Sequence, residues 1–98
     1  MSDTGTGPLK VAVISPTAVG FEGGGESVVV PAWDGLMGIL RGHAPMMALL
    51  GEGEVVVRGS GAERRIRVSG GFLQVIDDEV SVLAESVEAG DEGGESGA

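Results

Sequence analysis

The sequence predicts an all-β fold, a small two-sheet β-sandwich of short antiparallel strands. Between residues 9 and 87 the chain consists of short apolar, β-branched runs that are separated by Gly-rich breaks. Its 19 glycines among 98 residues interrupt nearly every stretch long enough to form a helix. Because about nine short strands cannot bury their apolar faces in one flat layer, two packed sheets are expected.

Each predicted strand ends at a turn signal that Gly, Pro, Asp or Ser supplies. Two hairpins are expected, one turning at residues 59–62 and the other at residues 77–78. Pro31 has no N–H for a sheet ladder, so it belongs at an edge, a bulge or a strand end. The Gly-rich segment 23–27 is expected to be a flexible hairpin loop. The predicted strands cover residues 9–15, 18–22, 28–33, 36–40, 46–50, 54–59, 63–70, 72–76 and 79–85.

The chain divides into three predicted segments, with a single domain at its centre. We expect a flexible N-terminus at residues 1–8, the sandwich domain at residues 9–87 and an acidic, Gly-rich tail at residues 88–98. Asp3 stands where a secretory signal would carry positive charge, so export by that route is not expected. The apolar runs are all far shorter than the roughly 18 residues that a transmembrane helix needs.

Composition excludes several classes of function. A formal net charge of −9 argues against binding to nucleic-acid phosphates, which requires clustered Lys and Arg side chains. The sequence contains no cysteine, so it has neither a disulfide framework nor a thiolate nucleophile or metal ligand. This cysteine usage agrees with a cytoplasmic setting.

The segment RGHAP, residues 41–45, is predicted to be a rigid corner between two apolar strands. Gly42 tolerates backbone angles that are closed to other residues, while Pro45 fixes its own φ and favours an extended Ala44. The only histidine, His43, lies in this corner. Its imidazole is interpreted either as a turn side chain bonded to nearby backbone or as an interface residue.

The sequence offers no convincing catalytic, cofactor or metal site. A triad of Ser69, His43 and Asp34 can be drawn, but no G-x-S-x-G elbow accompanies it. The glycines at residues 20–25 are followed by a glutamate rather than by the Gly-Lys-Ser/Thr of a phosphate loop. The acidic residues 77–79 lack the ligand spacing of a calcium loop and are expected to form a turn. We therefore predict no catalytic residue, cofactor or metal.

Three arginines lie close together on one predicted strand. Strand alternation places Arg65 and Arg67 opposite the face of the neighbouring apolar residues. We expect a solvated face on which Glu54 or Glu63 balances these charges across the hairpin, the alternative being contact with an acidic partner. Arg64 belongs to the same cluster.

The tryptophan and the methionines admit two interpretations each. Trp33, the only tryptophan, is either a rim residue that closes the sandwich or an exposed anchor for a partner. Met37, Met46 and Met47 suit either a core or an adaptable interface, and at least one should point inward.

Three motifs resemble the N-terminal β-sandwich domain of the F-type ATP synthase epsilon subunit, which is called delta in mitochondria. The matching stretches are VISPTAVGFEG (13–23), VVVPAWDGLMGILRGHAPMMALL (28–50), which contains the first motif, and IRVSGGFLQVIDDEVSVLAE (66–85), which contains the other two. The motifs are a G-H-A-P corner, an S-G-G before an apolar run, and a closing V-x-V-L-A. The resemblance extends over nearly the whole predicted sandwich.

The resemblance implies a non-catalytic subunit of the central stalk, peripheral to the cytoplasmic face of the cell membrane. Such a subunit couples rotation of the ring of c subunits to the gamma subunit during proton-driven ATP synthesis. Its partners would be gamma and the c-ring, with an indirect membrane association through the complex and no nucleic acid. The residues implied to face gamma are Ser15, His43, Ala44 and Ala48, and those implied to face the c-ring are Trp33, Asp34, Gly35 and Leu36.

Two departures from the family pattern shape this expectation. Many relatives carry an acidic residue where this chain has Leu36, which moves the expected ring contact toward Asp34 and an apolar Leu36. Most bacterial relatives continue into two C-terminal helices that can restrain ATP hydrolysis. The segment AGDEGGESGA is too Gly-rich to form such helices, so no C-terminal helical domain and no helix-mediated inhibition are expected.

From the residues alone, the chain is a small acidic interaction domain. The rival interpretations are an enzyme that uses His43 as a base and a standalone β-sandwich for ligand binding or scaffolding. Co-purification with gamma would distinguish the stalk subunit from a standalone domain.

Overall fold

A computed structural model of the chain describes residues 8–59 and 61–89, and every regular element in that part is a β-strand. The all-β prediction is confirmed. No helix among these residues has the length and apolar character needed to cross a bilayer. The strands are β1 Leu9–Ile14, β2 Val19–Gly25, β3 Ser27–Ala32, β4 Gly35–Leu40, β5 Met46–Leu49, β6 Glu52–Gly59, β7 Ala62–Ile76 and β8 Glu79–Ala89.

The strands form one hydrogen-bonded path that folds into two packed layers. The path runs β2-β1-β8-β7-β6-β3-β4, and β5 pairs with β7 beside it. The N-terminal half of β7 pairs with β6, whereas its C-terminal half pairs with β5. We call β2, β1, β5 and the β7–β8 segment nearest their turn the first layer. The second layer comprises β6, β3, β4 and the remainder of β7 and β8.

The long strand β7 replaces two predicted strands, so the described part of the chain has eight strands. The prediction placed a break at Gly70-Gly71, but the chain continues through it while keeping one register with β8. Gly71 has φ +114°, and a Cβ there would collide with the carbonyl oxygen of Leu83. The glycine pair therefore carries β7 from one layer to the other without ending the strand.

The prediction of a flexible Gly-rich loop was wrong, because most of that segment belongs to β2, which pairs with β1. A Cβ added at Gly20 would lie 2.8 Å from the Ile66 side chain, and one at Gly25 would lie 2.7 Å from Val57. Ile66 and Val57 belong to the opposite layer. These glycines therefore allow the two layers to approach closely.

The core lies between the layers and is wholly apolar among the described residues. Alternate residues of the strands point into it, as the period of two requires. One strand pair departs from the predicted antiparallel pattern, since β1 and β8 are parallel. The buried cluster contains Leu9, Val11, Val13, Val28, Val30, Ile39, Leu50, Val55, Val57, Ile66, Val68, Leu73, Val75, Val80, Val82 and Ala84.

Two predictions about strand ends can be compared with the structure. Pro31 lies in β3 beyond Val29, the last β3 residue to pair with β6, so its expected place near a strand end is confirmed. Strand β8 continues to Ala89, past the end that the sequence predicted for the domain. Residues 90–98 of the predicted tail and residues 1–7 of the predicted N-terminal segment lie outside the described residues.

Candidate functional site

The corner, residues 41–45, joins β4 to β5 and is held by local hydrogen bonds. The His43 N–H donates to the Leu40 carbonyl at 3.1 Å, and His43 Nδ1–H donates to the Ala44 carbonyl at 2.8 Å. Gly42 has φ +82°, the left-handed region that favours glycine. The predicted corner between two strands and the predicted imidazole bonded to nearby backbone are thus confirmed.

A hydrogen bond joins this corner to the turn between β7 and β8. The Gly42 N–H donates to Asp78 Oδ1 at 2.7 Å, across 36 residues of sequence. Asp77 and Asp78 have φ of 50° and 63°, as a two-residue turn between twisted antiparallel strands requires. The predicted turn is confirmed for Asp77 and Asp78, whereas Glu79 pairs with Ile76 as the first residue of β8.

The outer face of the first layer carries a row of exposed apolar side chains that runs across its strands. Strand register places these side chains directly opposite one another in β5, β7, β8, β1 and β2. The relative exposures are 57% for Leu49, 50% for Phe72, 42% for Leu83 and 64% for Val19, and Ile14 is partly buried. We call Leu49, Phe72, Leu83, Ile14 and Val19 the apolar row.

The apolar row is not among the surfaces predicted from the sequence. A signal for it was present, because MMALL is apolar at consecutive positions and therefore on both faces of its strand. One of those faces packs on the core, so the other needs a partner or remains exposed. Contiguous exposed apolar surface on a small domain marks an interaction site.

Two predicted gamma-facing residues lie beside the apolar row. Ser15 follows β1 and lines the same shallow groove as Leu49, Phe72 and Leu83. Its hydroxyl oxygen accepts the Ala18 N–H at 3.1 Å, which closes a tight turn.

Ala48 packs half-buried against the core, between the outward side chains of Met47 and Leu49. The other two predicted residues, His43 and Ala44, lie in the corner that precedes β5. Of the four predicted residues, Ser15 therefore lies beside the apolar row, Ala48 faces the core, and His43 and Ala44 lie at the end of β5 that is farther from Leu49.

The four residues predicted to face the c-ring lie together at the turn between β3 and β4. Trp33 and Asp34 form the turn, with Ala32 paired to Gly35 at its base. Trp33 is 77% exposed and Leu36 is 76% exposed. Trp33 is therefore an exposed side chain, and the interpretation of it as a rim residue closing the sandwich was wrong.

Arg65 of the arginine cluster and Arg58 of β6 form ion pairs on the outer face of the second layer. Arg65 pairs with Glu63 at 2.7 Å and with Glu54 at 3.3 Å, and Arg58 pairs with Glu63 at 3.2 Å. The hydrogen bond from Arg65 is the main cause that lowers the pKa of the Glu63 carboxyl, although partial desolvation opposes it. The predicted balance across the hairpin is confirmed for Arg65, which pairs with Glu54 of β6, whereas Arg67 is exposed on the same face.

Arg64 and the methionines have distinct surroundings. The Arg64 guanidinium carbon lies 5.7 Å from the centre of the Phe21 ring, within reach of a cation–π contact. Met37 and Met46 pack against the core, while Met47 is 64% exposed. The expectation that at least one methionine points inward is confirmed.

The structure does not assemble the triad that can be drawn from the sequence. Ser69 lies in the ladder of β7, Asp34 in the β3–β4 turn and His43 in the corner. None of the hydrogen bonds among the described residues joins these three side chains. Within residues 8–59 and 61–89, no three His, Cys, Asp or Glu side chains converge as metal ligands would.

Known proteins resemble this chain along most of its length. It is 43% identical over 77 residues to the ATP synthase epsilon chain of Leptospira borgpetersenii, which covers 79% of this chain and 61% of the relative. It is 40% identical over 83 residues to the epsilon chain of a Synechococcus strain, which covers 85% of this chain and 61% of the relative. The chain thus spans about three fifths of the length of these relatives.

Solved structures share the fold. A chain in the Euglena gracilis mitochondrial ATP synthase, solved with OSCP, F1 and c-ring, superposes with a TM-score of 0.78 at 19% identity, covering 90% of this chain and 56% of that chain. A chain in the structure of the Tetrahymena thermophila mitochondrial ATP synthase central stalk and c-ring superposes with a TM-score of 0.66 at 15% identity. The superposition covers 81% of this chain and 64% of that chain.

A family model covers nearly the whole described sandwich. It is described as the ATP synthase delta/epsilon chain, beta-sandwich domain, and it matches residues 8–90. The matched region includes the corner, the apolar row and the exposed β3–β4 turn. By this match and by its two-layer fold, the chain belongs to the β-sandwich domain family of ATP synthase delta/epsilon chains.

Proposed function

We propose that this chain is a non-catalytic central-stalk subunit of a rotary F-type ATP synthase. In this role it couples rotation of the c-ring to the gamma subunit during proton-driven ATP synthesis. It lies on the cytoplasmic face of the cell membrane and associates with the membrane through the complex. Family membership and two exposed docking surfaces on different layers support the proposal.

The apolar row is the single observation that most strongly supports the proposed contact with gamma. Its side chains form a continuous apolar strip across the first layer, with Ser15 beside it, and the corner lies at the end of β5 that is farther from Leu49. Burying such a strip against a partner gains roughly 25 cal/mol per Å² of apolar surface removed from water. The proposed gamma surface therefore comprises the apolar row, which supplies the buried area, Ser15 beside it, Ala48 in β5, and the corner residues His43 and Ala44 at the start of that strand.

The proposed c-ring surface is the β3–β4 turn, residues 33–36. Trp33 and Leu36 offer exposed apolar area, and Asp34 adds one negative charge between them. Exposed tryptophan is among the side chains most often found to dominate binding energy. Asp34 would meet polar or basic groups of the ring, and Leu36 would make apolar contact.

The described domain can couple and assemble without contributing helix-mediated restraint of hydrolysis. All regular elements of residues 8–59 and 61–89 are strands, so inhibition by extended helices is not a property of these elements. We accordingly propose that the sandwich connects its two partners, gamma and the c-ring, and that it performs no chemical step.

Co-purification with the gamma subunit of the same complex tests the proposal. Leu83→Glu places a charge in the middle of the apolar row, and we expect gamma affinity to fall at least about tenfold, since desolvating an unpaired carboxylate is costly. Leu40→Glu is the matched control, because Leu40 is also an exposed apolar strand residue but lies on the second layer. Affinity is measured by titrating each purified variant with gamma.

The result that contradicts the proposal is specific. A wild-type chain that does not bind gamma would exclude the stalk role and favour a standalone sandwich. Equal losses in Leu83→Glu and Leu40→Glu would show that the first layer is not the gamma surface.

A further inference from the structure

The corner belongs to the proposed gamma surface but is not part of any strand. Residues 41–45 follow β4 and precede β5, and all are exposed or partly buried. Burial therefore contributes little to fixing its position. Pro45 restricts the backbone on the β5 side, and the turn that His43 closes with Leu40 restricts it on the β4 side.

The Asp78 carboxylate anchors this corner from a different part of the chain. It accepts the Gly42 N–H at 2.7 Å, the length of a charge-assisted hydrogen bond. Such bonds to charged groups are stronger than bonds between neutral groups. The contact connects the corner to the β7–β8 turn, which the strand ladders hold.

Asp78 is itself held in a defined position. Its backbone carbonyl accepts the Lys10 N–H at 2.9 Å, where β1 begins to pair with β8. Its left-handed φ of 63° belongs to the tight turn. The carboxylate is therefore a fixed point at which β1, β8 and the corner meet.

We propose that Asp78 is a positioning residue for gamma binding, whose carboxylate holds the Gly42–His43 backbone in the conformation that docks. The inference rests on the proposed function. An interface loop that is held in its bound conformation loses less conformational freedom on binding, so affinity is higher. Asp78 acts through the corner and need not contact gamma.

Three substitutions in the same turn distinguish the effect of losing the hydrogen bond from the effect of a more flexible turn. Asp78→Gly removes the acceptor and retains an easy left-handed φ, whereas Asp78→Asn keeps an acceptor oxygen and also tolerates that φ. Asp77→Gly is the matched control, because Asp77 is in the same turn with φ 50° but is not the acceptor of the Gly42 N–H.

Titration with gamma and hydrogen exchange at the Gly42 amide are measured on the same proteins. We expect Asp78→Gly to weaken gamma binding about tenfold, the scale of one charge-assisted hydrogen bond. Its Gly42 amide should exchange faster while the core amides remain protected. Asp78→Asn should restore part of both gamma binding and Gly42 protection, because its neutral oxygen accepts a weaker bond, and Asp77→Gly should resemble the wild type in both.

Each outcome bears on the inference. Unchanged gamma affinity in Asp78→Gly, with Gly42 protection lost, would overturn the positioning role while leaving the stalk function intact. Loss of affinity in Asp77→Gly as well would assign the effect to turn flexibility and also overturn it. A wild-type chain with a protected Gly42 amide that does not bind gamma would overturn the docking role together with the proposed function.

Discussion

Glu63 accepts from two arginines on the exposed face of the second layer. Its carboxyl pKa is lowered chiefly by the Arg65 hydrogen bond, with a smaller contribution from Arg58. A carboxyl whose pKa is lower in the folded state stabilises the fold above its unfolded pKa, and this contribution is lost as pH falls through the folded pKa. The ion pairs of Glu63 are therefore part of the acid sensitivity of the domain.

Replacing Glu63 tests this link between ionisation and stability. We expect Glu63→Gln to be slightly less stable than the wild type at pH 7, as for an exposed ion pair. The gap should shrink as pH falls below about 4.3, the usual Glu pKa. Denaturant unfolding at successive pH values measures the gap, with Glu22→Gln, an exposed carboxylate on β2, as control. A gap that persists unchanged at strongly acid pH would contradict the assignment.

At the residue scale, the sequence predicted local contacts well and distant ones poorly. The Gly42 turn and the arginine pairs across the hairpin follow from nearest neighbours and from strand alternation. The Asp78 contact could not be predicted in that way, because it depends on how the β7–β8 turn is placed beside the β4–β5 corner. Exposure of Trp33 also required the position of its turn relative to both layers.

Among the elements, the two edge strands of the hydrogen-bonded path differ in character. β2 carries Glu22 and four glycines, whereas β4, Gly35–Leu40, has no charge and no proline. Charged and irregular edges prevent unwanted pairing, so an uncharged apolar edge is usually covered in the assembled state. The β3–β4 hairpin thus has the features of an element that is covered by a partner.

The β3–β4 hairpin supplies the test of the c-ring contact. The double substitution Trp33→Ser and Leu36→Ser removes the exposed apolar groups from the turn while leaving Asp34 in place. Because a buried tryptophan anchor commonly contributes 2 kcal/mol or more to binding, we expect retention on c-ring-containing membranes to fall at least about tenfold. Sedimentation of reconstituted membranes with bound F1 measures retention.

Gamma affinity is the internal control for this hairpin variant. It should remain at the wild-type value, because the substituted side chains lie on a turn outside the apolar row. Wild-type retention on the membranes would exclude these residues from the ring contact.

Element prediction failed where glycines serve packing. The sequence pattern predicts that a strand ends at Gly70-Gly71, yet β7 pairs with β8 in one register before and after these glycines. In β2, Gly20 and Gly25 face side chains of the opposite layer at distances that leave no room for a Cβ. Periodicity and turn propensity describe a strand in isolation, so neither could reveal the approach of a second layer.

For the whole molecule, the shared core predicts that both layers unfold together. Leu9 in β1 and Ile39 in β4 are both fully buried, although β1 and β4 are in different layers. We expect Leu9→Ala and Ile39→Ala each to lower the free energy of unfolding by about 2–5 kcal/mol. Each variant should retain a single transition when unfolding is monitored by fluorescence and by circular dichroism.

An exposed strand residue provides the comparison for these core variants. Leu40→Ala should change stability by less than about 1 kcal/mol, since the side chain is 63% exposed. Two separate transitions in either core variant would show that the layers are independent folding units.

The overall architecture could be predicted because strand-length apolar runs leave few alternatives to two packed sheets. The parallel pairing of β1 with β8 could not, since it joins the first and last strands of the described residues. Pairing between strands that are distant in sequence depends on their mutual register, and the local pattern of apolar residues gives no information about that register.

Strands β7 and β8 pass through both layers. In the proposed complex, gamma lies against the first layer and the ring against a turn of the second. A torque that the ring applies to that turn would be transmitted to gamma partly as a shear force along β7 and β8. Many hydrogen bonds of the β7–β8 ladder would share this force. The bridge between Ala32 and Leu50 adds a shorter connection near the same turn. The domain would then behave as a stiff mechanical coupling, with compliance concentrated in its exposed turns.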